Sequence, residues 1–127
     1  MENYKIENLS KELEELETRS GIIGSAIVKR NGLLIASRFP RDHDPRKIGA
    51  LAASMLGAIE TAAVCLEPNR NIFNTFVELD NIQLVIFNTS RDIIFVALIN
   101  LDVNLGLVYI EIEETIKKIE NILKVDE

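Results

Sequence analysis

The sequence is poor in the residues that build chemical sites. Cys65 is its single cysteine and His43 its single histidine. One cysteine rules out an intramolecular disulfide and leaves no thiolate set for structural zinc. One histidine leaves every serine without a base other than His43, which argues against a hydrolytic triad. His43 stands in Arg41-Asp42-His43-Asp44. Two or three ligands on one loop fall short of a metal centre, so a solvated loop leading into a helix cap is expected there. Neither a G-x-x-x-x-G-K-[ST] phosphate loop nor G-x-G-x-x-G occurs. A basic patch is also missing. The formal net charge is -6, and Arg38, Arg41, Arg46 and Lys47 are interleaved with acids. That excludes nucleic acid and anionic membrane surfaces as natural partners. The opening residues, MENYKIENLSKELEE, are too polar and acidic for a signal or transit peptide. A cytoplasmic, non-catalytic protein without cofactor or metal is expected, as one domain over residues 1–127.

Residues 44–66, DPRKIGALAASMLGAIETAAVCL, organise the rest. Asp44 is placed to cap a helix and Pro45 suits its first position. Between Lys47 and Leu66 the one formal charge is Glu60. Ile48, Leu51, Ala52, Met55, Ile59, Ala63 and Leu66 form a stripe expected to pack on a sheet. The opposite side carries Ala50, Ala53, Ser54, Gly57, Thr61 and Val64 instead of charges. A helix apolar all round is buried all round, so a second subunit is expected to cover that side, its small residues allowing close approach. A membrane span is the competing reading, since a span needs about 20 apolar residues. Glu60 would cost roughly 3 kcal/mol near mid-bilayer, and the Ala/Gly content offsets little of it. A soluble dimer helix is therefore preferred. Cys65, near the helix end, reads as a small buried hydrophobe.

The flanking elements follow from periodicity. Residues 2–19 form a helix with the stripe Ile6, Leu9, Leu13 and Leu16, stopped by Gly21. Residues 22–29 and 33–38 are strands joined by Asn31-Gly32, a hairpin signal. After a loop at 39–43 and the central helix, residues 67–71 break the chain. Strands follow at 72–79, 82–88 and 93–100, joined by turns at Asp80-Asn81 and 89–92. The last two of these are apolar on both faces, so the sheet needs cover on each side. A final helix to about Lys124, capped by Asn104 or Asp102, carries Leu105, Val108, Ile112, Ile116, Ile119 and Leu123. The order α-β-β-α-β-β-β-α packs as one antiparallel five-stranded α+β sandwich. The central helix covers one face and the terminal helices the other.

Three segments resemble the roadblock/dynein light chain family, in particular its prokaryotic MglB-like members: GIIGSAIVKRNGLLIAS, IGALAASMLGAIETAA and IQLVIFNTSRDIIFVALINLDVNLGLVYIEI. The resemblance implies strand order 2-1-5-4-3 in a roadblock/profilin-like fold. It implies a homodimer through the central helix and third strand, with one continuous sheet across both subunits. It also implies a platform that binds and regulates a small Ras-like GTPase, MglB-like members stimulating hydrolysis without lending an arginine finger. The interface would comprise Lys47, Ala50, Ala53, Ser54, Gly57, Glu60, Thr61 and Val64 of the helix with Ile72, Phe73, Thr75, Phe76 and Val77 of the strand. In an antiparallel helix crossing, Glu60 would approach Lys47 of the second copy. No short motif marks the GTPase contacts. The alternative is a profilin-like, sensor-type domain that binds a small molecule. Such a domain needs a cavity with convergent polar groups, and the Ile/Val/Phe-filled sheet offers few.

Overall fold

In the computed structural model, residues 3–69, 71–89 and 92–124 are described. They form α1 (Asn3–Ser20), β1 (Gly24–Lys29), β2 (Leu34–Arg38), α2 (Pro45–Leu66), β3 (Asn74–Leu79), β4 (Ile82–Asn88), β5 (Ile93–Asn100) and α3 (Leu105–Lys124). The strands make one antiparallel sheet in the order β2-β1-β5-β4-β3, the order that the family resemblance implied within the fold class expected from the sequence. Glu2, Arg70, Ser90 and Arg91, which the sequence placed in the first helix and in two of the connections, lie outside the described residues.

Local chemistry sets the boundaries. Gly21, at φ 70°, ends α1 and donates its N–H to Glu17 O at 2.9 Å, a left-handed C-terminal stop. The β1–β2 turn puts Gly32 at φ 93°, and the Asn31 side chain accepts from Leu33 N–H at 3.0 Å. Asp44 Oδ1 accepts from the N–H groups of Arg46 (3.1 Å) and Lys47 (3.4 Å), with Pro45 in the first turn. At α3 the cap is Asn104, whose Oδ1 accepts from Leu107 N–H at 3.3 Å.

Two cores lie on opposite faces of the sheet. The larger, under α1 and α3, joins Leu9, Leu13 and Leu16 to Ile27, Val85, Phe95, Ile99, Ile112 and Ile119. Each such side chain contributes about 1.5–3 kcal/mol on burial. Arg19 of α1 fastens the helices together, reaching Glu111 at 2.9 Å and Thr115 Oγ1 at 3.3 Å. Lys5, buried within the α1 stripe, directs its ammonium at Leu123 O, 3.5 Å away at the end of α3, where a cation suits the helix dipole. The smaller core, under α2, holds Ala26, Val28, Ala52, Leu56, Ile86, Ile94 and Val96.

The structure corrects the expected orientation of α2. Its buried residues are Gly49, Ala52 and Leu56, whereas Leu51 and Leu66 of the expected inward stripe are exposed. Helix and sheet meet at Gly49, where a Cβ would lie 3.1 Å from Val28 Cγ2. Cys65, expected to be buried, is exposed as well, because the helix end overhangs the smaller core. The third strand begins at Asn74 rather than at residue 72.

Candidate interaction surface

α2 packs on β1, β2 and β5, leaving its outer side and the neighbouring β3 edge open. Of the expected interface residues on the helix, Lys47, Ala50, Ser54, Gly57, Thr61 and Val64 are exposed. Ala53 and Glu60 are half-buried. Ala53 is turned partly inward onto the α2-side core. Leu51 and Ala58 join the outward face in its place. A Cβ built on Gly57 meets nothing within 4 Å. The two hydroxyls on this side are already satisfied: Ser54 donates to Ala50 O at 3.0 Å and Thr61 to Gly57 O at 3.1 Å. Bonds of this kind turn the hydroxyl back on its own helix. Between Lys47 and Glu60, and at Thr61 and Val64, the face can thus be covered by an apolar surface without stranding a hydroxyl.

β3 is an edge strand. Phe73 is 72% exposed, Phe76 46% and Leu79 50%, while Ile72, Thr75 and Val77 are half-buried. Phe73 O accepts from Asn88 N–H at 2.9 Å. Because backbone groups alternate sides along a strand, residues 75, 77 and 79 point theirs at β4. Asn74, Phe76 and Glu78 point theirs outward. Thr75, Val77 and Leu79 pair with Ile86, Leu84 and Ile82 on the α2 face. Phe76 lies on the other face, its ring 5.5 Å from Tyr109 and 6.3 Å from Phe87. A six-residue edge rich in apolar side chains and without lysine or proline is normally paired or covered.

Between α2 and β3 runs a cleft of about 590 Å³ lined by Arg30, Glu60, Val64, Ile72, Phe73 and Asn88 among others. Arg30, in the β1–β2 turn, crosses it. Its Nη1 donates to both Glu60 oxygens at 2.9 and 3.1 Å, and its Nη2 donates to Asn88 Oδ1 at 2.8 Å. Asn88 Nδ2 in turn donates to Ile72 O. Glu60 is therefore already engaged within its own chain. The sequence reading missed Arg30 and Asn88, and no motif or spacing signals them. The polar groups converging on the cleft bind one another, which leaves a small-molecule ligand little to address. Among the described residues no group of three or more His, Cys, Asp or Glu side chains is placed to hold a metal. His43 contacts Asp42 at 3.2 Å.

By length and composition α2 could cross a membrane. Withdrawing it would strip the cover from Val28, Ile94 and Val96, all at 0% exposure, so its seat on the sheet accounts for its apolar inner side.

An open sheet edge beside a helix face that carries no charge between Lys47 and Glu60 is the surface of a protein-interaction module. The chain belongs to the Roadblock/LC7 domain family, whose model matches residues 9–99. Two uncharacterized proteins of Methanocaldococcus jannaschii, MJ1340 and MJ0310, are each 32% identical over 108 residues, covering 85% of this chain and 93% of the relative. Among solved structures, MglB of Myxococcus xanthus superposes with a TM-score of 0.87 at 19% identity, covering 98% of this chain and 93% of that one. Gliding protein MglB of Thermus thermophilus gives 0.85 at 17%, covering 96% and 93%. An MglB described with a tetrameric arrangement gives 0.84 at 17%, covering 96% and 92%. At these identities the likeness establishes the fold.

Proposed function

We propose that this chain is a non-catalytic homodimer, joined through α2 and β3, that binds and regulates a small Ras-like GTPase. The observation that carries the dimer is the continuity of unsatisfied surface. Leu51, Val64 and Leu66 on α2, Phe73 just before β3 and Leu79 on β3 are each at least half exposed, beside the outward backbone groups of Asn74, Phe76 and Glu78. Monomeric proteins rarely leave such apolar surface open. A two-fold contact buries the same patch on both copies and extends the sheet from five strands to ten.

The GTPase half of the reading is supported by the resemblance to MglB-like members, and by a family whose members act as binding platforms. The chain supplies no assembled catalytic cluster among its described residues. In this reading it would therefore act by positioning the GTPase's own groups. The test uses Ras-like GTPases of the source organism, loaded with GDP or a non-hydrolysable GTP analogue and passed over immobilised protein. Retention of one GTPase in one nucleotide state, with faster GTP hydrolysis on titration, is the expected result. Absence of retention in both states removes the GTPase, and a monomer by sedimentation at tens of micromolar removes the dimer.

A further inference from the structure

We infer that Arg30 is the positioning residue of the α2/β3 surface: it sets how the outer helix face and the sheet edge stand relative to one another. This rests on the proposed dimer and goes beyond it, because Arg30 lies on neither element. It sits in the β1–β2 turn, yet its guanidinium holds Glu60 of α2 on one side and Asn88 at the end of β4 on the other. Its Nε lies 3.7 Å from Asp92, and its backbone N–H donates to Asp92 O at 3.3 Å, which anchors the turn from which it reaches.

The second half of the relay runs through Asn88. Its backbone N–H and its side-chain amide donate to Phe73 O and Ile72 O respectively. These two carbonyls belong to the segment that leads into β3. Thus one planar cation fixes Glu60 directly and, through one amide, fixes where β3 begins. The cleft separates α2 from that segment, and α2 packs on β1, β2 and β5 instead. The Arg30–Asn88 bridge spans the gap where side-chain packing does not fill it. A guanidinium can do this because it presents several donors in a rigid fork; an ammonium cannot hold a carboxylate and a distant amide in the same way. Arg30 and Glu60 are 33% and 41% exposed, so the ion pair contributes little to folding. Its consequence is geometric. A two-fold interface built from α2 and β3 together requires their spacing to match in both copies, so an error at this hinge is counted twice.

The test compares Arg30→Met, Arg30→Lys, Asn88→Ala and the Arg30→Met/Asn88→Ala double variant in the full chain. Circular dichroism monitors folding, sedimentation equilibrium gives the dimer dissociation constant, and amide exchange is followed across residues 72–79. Arg30→Met and Asn88→Ala are each expected to weaken the dimer about tenfold and to speed exchange at residues 72–76, with helix content unchanged. Arg30→Lys is expected to resemble Arg30→Met. The double variant should be no weaker than Asn88→Ala alone, because both changes cut one relay. A dimeric wild type whose Arg30→Met variant dissociates within threefold of it overturns the inference and leaves the dimer standing. So do strictly additive losses in the double variant, or full rescue by lysine. A monomeric wild type overturns the dimer itself, and the inference with it.

Discussion

Gly49 and Val28 meet so closely that a Cβ on Gly49 would lie 3.1 Å from Val28 Cγ2 and 3.4 Å from Cγ1. Val28 is fully buried in β1 and, being β-branched, has little rotamer freedom with which to withdraw. The contact fixes the rotation of α2 on the sheet. Gly49→Leu should therefore force the helix outward and destabilise the protein by roughly 1–3 kcal/mol, the usual scale of overpacking. Urea unfolding followed by circular dichroism measures it; an unchanged midpoint would mean that the helix seat is not set here.

Gly57, two turns further on, is the opposite case. A side chain there meets nothing in its own chain, and leaving glycine adds about 0.5–1 kcal/mol of helix propensity. Gly57→Leu should thus leave the protomer folded while weakening self-association by about tenfold, or ~1.4 kcal/mol. Analytical ultracentrifugation reads the shift. Ala53 is the poorer probe, since its side chain already packs on its own core.

Backbone direction along β3 decides where proline tests the edge. Thr75 points its N–H at β4, so proline there would damage the sheet itself. Glu78 is exposed and points its N–H outward. Glu78→Pro removes an outward donor and should weaken the dimer several-fold while the β3–β4 ladder persists. In the unaltered protein, amide exchange at Asn74, Phe76 and Glu78 should be slow at dimer-forming concentration and fast on dilution. Concentration-independent fast exchange at all three would make β3 a free edge.

Asp44 caps α2 through the N–H groups of Arg46 and Lys47. Asp44→Ala should cost about 1 kcal/mol, seen as a lower melting temperature, and Asp44→Ser should restore most of it. If the alanine variant melts with the parent, the cap contributes nothing to stability.

Much of this molecule follows from the sequence alone. The spans of α2, β4 and β5, the stop at Gly21, the Asn31-Gly32 turn and the Asp44 cap depend on residues adjacent in the chain, and local propensity is enough to place them. The two-faced apolar character of β4 and β5 likewise announces a sheet covered on both sides. Most of the outward face of α2, from Ala50 to Val64, could be read as well, because charge is missing where solvent would demand it. Tertiary structure alone decided which way that helix turns. A helix apolar all round has no period to reveal its inner side: the pattern points Leu51 and Leu66 inward, whereas Gly49 and Leu56 take the core. The close approach of Gly49 to Val28, residues on different elements, made that choice. The Arg30 network was equally out of reach, since its partners Glu60 and Asn88 lie 30 and 58 residues away. A long-range ion pair leaves no periodicity or spacing in the chain; it exists only once the sheet has brought the β1–β2 turn, α2 and the end of β4 to one cleft.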